Sequence, residues 1–266
     1  MTKNNKMMTA LMSAGAALAL SMGGAQAAHL TTYLVDFEEL NDSGVDGNGT
    51  LVYNSEDGTL EVSLDFTGLA AGPHPMHIHG LFEEGVAVPG GTPADSVTPP
   101  QSADTTGEGD GDGFVETLEG VPFYGDILLQ LVTEPGNGTA FLTAGEDGTA
   151  SYDVTFDLSD SSIFLPSLPT GNVYSAEDLF PLILREIVIH GLVLADGTGD
   201  GTMFEVDGNC GDDFGDTPVE GGCYVALLPV AAAEISPVPL PGAAAFFLTA
   251  GIAGGAFRFS RKKSAA

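Results

Sequence analysis

Two of the five histidines lie two residues apart in the run GPHPMHIHGL. On a strand, residues two apart share a face, so His77 and His79 point one way while Met76 and Ile78 point the other. A third, His190, ends the apolar run REIVIHG, and three imidazoles meeting across neighbouring strands suit copper or zinc. Apolar surroundings penalise the imidazolium cation and so favour the neutral, ligating form. The alternative is that His77 and His79 cap strand ends by hydrogen bonding to the backbone, because a His-x-His pair on its own is common.

A second candidate site is acidic. The run EGDGDGFVETLE, residues 108–119, matches most of a twelve-residue calcium loop. Glu108, Asp110 and Asp112 take its first, third and fifth positions, Gly113 makes the turn, Phe114 offers a carbonyl, and Glu119 can bind bidentately at the twelfth. Flanking EF-hand helices are not expected, so the run reads as a single structural loop, with a solvated acidic loop as the alternative. The only two cysteines, Cys210 and Cys223, would close a loop of about 13 residues in an oxidising compartment, worth ~3 kcal/mol on chain-entropy reasoning. Free thiols or metal ligands are the other reading of that pair.

The elements that must position these groups are strands. Short β-rich runs alternate with Gly, Asp and Asn turns; in TLEVSLDF, Leu60, Val62, Leu64 and Phe66 alternate with polar neighbours, and Tyr152, Val154, Phe156 and Leu158 repeat the pattern. Eight such runs without a long helical period predict an all-β fold, an antiparallel Greek-key-like sandwich or barrel with long acidic loops. One short helix is expected at SAEDLFPLILR, capped by Ser175 and limited by Pro181. The segment from Leu81 to Pro122, rich in Pro, Gly and Asp, is expected to be irregular.

The charge distribution narrows the function classes. Of 266 residues, 37 are Asp or Glu and seven are Lys or Arg, and between residues 28 and 236 the only base is Arg185. Such a domain repels phosphate backbones and anionic lipid, which excludes nucleic acid as a partner. No carboxylate pair stands out as an acid and base, so the composition argues for a structural or interaction protein more than for an enzyme.

Both ends read as processing signals. Residues 1–27 have a two-lysine start, an apolar stretch and small residues at Ala25 and Ala27, the parts of a secretory signal peptide. Residues 237–266 hold a proline cluster, sixteen mostly apolar residues and a basic tail; at 1.5 Å per residue the apolar part spans about 24 Å, short of a ~30 Å hydrocarbon core. This end resembles the PEP-type sorting signals of Gram-negative bacteria, in particular the VPLP variant. That resemblance implies retention at the membrane through this segment until a sorting peptidase acts, and a location at the cell envelope, cell surface or outside the cell. Residues 28–236 are left as one acidic β domain.

The stretch from Leu34 to Leu81, with its DGTLEVSLDFTGL strand and HIHG signature, resembles the CHRD domain of exported proteins. GPHPMHIHG and LREIVIHGLVLADG are also similar to two strands of copper/zinc superoxide dismutase. This second resemblance implies copper on His77, His79 and His190, with His74 as a structural histidine. No histidine lies from Gly80 to Ile189, so a bridging imidazolate and the zinc-loop histidines have no counterpart. Together these readings predict an exported surface or extracellular-matrix protein that contacts envelope or matrix components, with a calcium loop and a copper or zinc site. A dismutase-like copper enzyme is the alternative.

Overall fold

The computed structural model describes residues 29–238 apart from 86, 108, 199–209 and 211–215. The signal-peptide segment 1–27 and nearly all of the sorting segment 237–266 lie outside the described residues. In chain order the strands are β1 Leu30–Asp36, β2 Glu38–Glu39, β3 Asp46–Asn54, β4 Thr59–Thr67, β5 Gly72–His74, β6 Met76–Phe82, β7 Pro93–Ala94, β8 Asp126–Gln130, β9 Leu142–Ala144, β10 Ala150–Asp157, β11 Arg185–Ala195, β12 Thr217–Val219, β13 Gly222–Glu234 and β14 Ser236–Pro237. Two α-helices, α1 Thr117–Tyr124 and α2 Ala176–Leu179, and four short 3₁₀ turns lie between them.

One sheet runs β10-β4-β3-β1-β14, and a second runs β12-β13-β11-β6-β7 with β2 added on β13 and β8 on β6. A small third sheet pairs β5 with β9. The alternation read in β4 is realised: Leu60, Val62, Leu64 and Phe66 are buried, as are Tyr152 and Phe156 of the adjacent β10. They meet Met76, Ile78, Ile187 and Ile189 of the second sheet in one apolar cluster, so the main core lies between the two sheets.

The second sheet is also covered on its other face. The first seven residues of β11 are all buried, without alternation, which requires cover on both sides. Leu40, Tyr124, Val188 and Ala232 form a separate cluster on that outer face, and Tyr124 comes from α1. The expected all-β Greek-key-like sandwich or barrel is therefore corrected to a mixed α/β fold whose sheets do not close. The physical reason lies in α1, within the segment expected to be irregular. Glu119, three residues into the turn, accepts from the Glu116 backbone N–H at 3.0 Å, and burial of Tyr124 secures the other end. Pro122 within the run gives no helical signal. The shorter helix α2 forms where expected; the Ser175 N–H and hydroxyl both donate to Asp178, at 2.9 and 2.8 Å.

Cys210 and Cys223 are joined in a disulfide, their Cα atoms 5.2 Å apart. Cys223 packs with Leu194, Val225 and Leu228, and the Phe114 ring lies against the same cluster. Arg185 stands in the interior, its guanidinium donating to the carbonyls of Asp178, Leu81 and Leu184 at 2.9, 3.2 and 3.3 Å and lying 5.4 Å from the Phe82 ring centre. Burial lowers its pKa to about 10. As the only Lys or Arg among the described residues, it supplies packing and carbonyl satisfaction, with no reach to the histidines.

Candidate metal centre

His77 and His79 stand on the outer face of the second sheet, opposite Val188 and Glu186 of β11. Two departures from regular pairing flank them. The β6–β8 register shifts between Ile78 and His79, and the β11–β13 register shifts on both sides of His190. Bulges of this kind re-aim side chains. At His190 the irregularity continues into Gly191, whose φ of +111° favours glycine.

The result is one buried group: each of His77, His79 and His190 offers a ring nitrogen, and those atoms lie within 4.8 Å of one another. His79 Nδ1 is 3.0 Å from the Gly125 carbonyl and His190 Nδ1 is 2.7 Å from that of Leu227. A carbonyl oxygen only accepts, so both Nδ1 atoms carry the proton and both Nε2 atoms present a lone pair. Those two Nε2 atoms, and Nδ1 of His77, are buried without a hydrogen-bond partner. Three buried nitrogens without partners each cost free energy, and one metal ion could satisfy all three.

Electrostatics favour the same use. Burial holds His77 well below its ordinary value, helped by the neighbouring His190 and His79. Burial takes His79 to about 3 against the opposing Gly125 hydrogen bond, and His190 to about 4 against that of Leu227. The triad is thus neutral, the form able to ligate a metal, across the physiological range.

His74, expected as a structural histidine, ends β5. It is fully buried, and its two ring nitrogens face the carbonyls of His190 and Ala70 at 2.8 and 2.7 Å. This ties the ligand-bearing turn of β11 to the chain just before β6. A Cβ on Gly191 would overlap the Tyr224 hydroxyl and come 2.8 Å from His74 Nδ1. The Gly191→Ala variant is therefore expected to lose about 2 kcal/mol or more in urea denaturation. Its metal affinity should fall as well, because His190 moves with the displaced backbone; unchanged denaturation midpoint and metal affinity would refute this account.

The floor of the site is tied down through Asp126, next to Gly125. Its buried carboxylate accepts from Ser167, from Thr170 at 2.5 Å and from Tyr174 at 2.7 Å, fastening the 167–174 loop over β8. That loop contributes Leu168 and Pro169 to a 420 Å³ chamber above the histidines, while α1 contributes Thr117, Leu118 and Val121.

The acidic loop gathers carboxylates, in a set that differs in part from the sequence reading. Asp104, Asp110 and Asp112 form one group with ligand atoms within 4.8 Å, and Asp110, Glu116 and Glu119 form another. Glu108 lies outside the described residues. Asp110 N–H donates to Glu119 Oε1 at 3.2 Å, Asp112 N–H to Asp110 Oδ1 at 3.0 Å, and Phe114 N–H to Asp112 Oδ1 at 2.9 Å. Burial and then the neighbouring Asp110, Asp104 and Glu119 charges raise the Asp112 pKa, opposed by the Phe114 N–H. Helix α1 begins at Thr117, within the 108–119 run, which corrects the expectation of a loop without a helix on its C-terminal side.

Asp104 and Glu116 join these groups from outside the loop positions that the sequence pattern assigns. Glu116 occupies the ninth position of the same twelve-residue frame, a signal that was legible. Asp104 precedes the frame and is brought in by the 3₁₀ turn Gln101–Thr105. No family model matches the chain, and no curated protein is significantly similar to it.

Proposed function

We propose that this chain is a metal-binding protein that holds one copper or zinc ion on His77 Nδ1, His79 Nε2 and His190 Nε2. The observation that carries this reading is the convergence of three buried, unpartnered imidazole nitrogens, two of them fixed in tautomer by backbone carbonyls. Neutral imidazoles suit both metals, which supply a positive centre able to polarise a bound ligand. The full chain dialysed against micromolar copper(II) or zinc(II) should retain one equivalent after removal of free metal. Absence of stoichiometric retention of either would overturn the assignment.

Calcium on the acidic loop is a second reading, favoured by the carboxylates collected around Asp110. Extracellular calcium modules bind with Kd of roughly 10⁻⁴–10⁻³ M. A calcium concentration 100 times Kd should then stabilise the fold by about 2.7 kcal/mol, raising Tm. Glu119→Gln removes a charge shared by the calcium group and the α1 cap, and should abolish the calcium-dependent rise. A rise of equal size in that variant would discard the site.

The wider setting follows the CHRD-like and sorting-signal resemblances: an exported protein of the envelope, cell surface or extracellular matrix that contacts components there. Its terminal segment would hold it at the membrane until a sorting peptidase acts. The dismutase-like alternative has its donor set in the three histidines, but superoxide is an anion, and with Arg185 in the interior no Lys or Arg among the described residues guides it to the site. Among the described residues no helix is long and apolar enough to cross a membrane.

A further inference from the structure

The chamber above the triad has a chemistry of its own. Apart from the histidines its walls are Leu118, Val121, Ile127, Leu168, Pro169 and Leu227, with Thr117 as the one other polar side chain. The Thr117 hydroxyl donates to the Leu227 carbonyl at 2.7 Å. Among the described residues, no carboxylate and no Lys or Arg lines the space. Two large apolar side chains, Leu118 at 45% exposure and Leu168 at 62%, are held toward water beside a floor of buried polar nitrogens. Apolar walls around a few convergent polar atoms, in a 420 Å³ volume, are the make-up of a small-molecule pocket.

Charge decides which molecules fit. An anion entering the chamber gives up its hydration to apolar walls and finds no Lys or Arg in return. It must also approach a chain of net charge −30. A neutral molecule meets neither cost, and each apolar atom it buries against Leu118, Val121 and Leu168 adds affinity.

We propose that the chamber binds a neutral, largely apolar small molecule of one or two aromatic rings that carries a single polar donor atom. That atom reaches the imidazole floor, either as a hydroxyl donating to an unpartnered ring nitrogen or as a ligand to the metal those nitrogens hold. The second mode rests on the metal reading above and extends it from the ion to the class of ligand.

The test uses the full chain in two forms. In the metal-free form, 2-naphthol and the anionic 2-naphthoate are titrated by calorimetry. Naphthol is expected to bind at least about tenfold more tightly, and a Leu118→Lys/Leu168→Lys variant, which supplies the counter-cation an anion lacks, should lose that advantage. In the copper(II)-loaded form, 4-phenylimidazole and azide are compared by their effect on the electron paramagnetic resonance spectrum. Phenylimidazole should act at concentrations lower by at least about tenfold, and the gap should narrow in the double variant while copper is retained. Equal binding of naphthol and naphthoate, or azide binding as tightly as phenylimidazole, overturns the proposal. Failure to retain copper overturns the metal site alone, because the naphthol comparison needs no metal.

Discussion

Replacing His190 with alanine should reduce copper or zinc affinity by at least about 100-fold and leave no stoichiometric metal after dialysis. Loss of an outer-shell partner alone costs 10- to 100-fold in metal sites, and this change removes a ligand itself. His190 is the only member of the triad on β11, so its loss leaves the two β6 imidazoles without a third donor. The vacated volume opens toward the chamber, so the variant should fold. His79→Ala should behave in the same way and should spare calcium binding, because the carboxylate group shares no ligand with the triad. Retention of one equivalent of metal by the His190→Ala chain would show that the metal lies elsewhere.

The metal-free protein should lose stability as pH falls from 6.5 to 4. His79 and His190 have folded values of about 3 and about 4, and an unfolded imidazole titrates near 6.5. Between those limits the unfolded chain binds protons that the folded triad refuses. The stabilisation is therefore complete above pH 6.5 and is lost as pH falls toward the folded values. Each of these two histidines contributes a loss of about 3 kcal/mol by pH 4, and His77 acts in the same direction.

Glu186 has the opposite sign. It is fully buried beneath Thr98, whose hydroxyl donates to it at 2.6 Å, and burial raises its value to about 8. Its contribution is complete below the ordinary carboxyl value of 4.5 and is lost as pH rises through 8. Urea denaturation from pH 4 to 9 at constant ionic strength separates the two. Glu186→Gln should flatten the alkaline limb and leave an acid loss, while a variant with His77, His79 and His190 all changed to leucine should remove most of the acid loss. An acid limb unchanged in that triple variant would refute the assignment.

Local pattern alone determined several features of this protein. Period-two alternation in β4 and β10 identified which residues face the core, because a half-buried strand writes its burial directly into the sequence. The two-residue spacing of His77 and His79 put both on one face for the same reason. With only two cysteines in the chain, the pairing of Cys210 with Cys223 had one intramolecular solution.

Other features belong to the tertiary structure, because they join residues that no local period connects. Helix α1 was invisible where Gly120 and Pro122 interrupt the run, and it forms because Glu119 caps one end while Tyr124 is buried against the outer face of the second sheet. The meeting of His190 with the β6 pair depends on strand order and on two register shifts. The free Nε2 atoms of His79 and His190 depend on the carbonyls of Gly125 and Leu227, and every residue offers a carbonyl, so no residue type marks those positions. Arg185, the one base of the domain, was a possible source of positive field until the fold enclosed it among the carbonyls of Leu81, Asp178 and Leu184. Sequence composition counts charges, but only packing decides which of them reach water or a ligand.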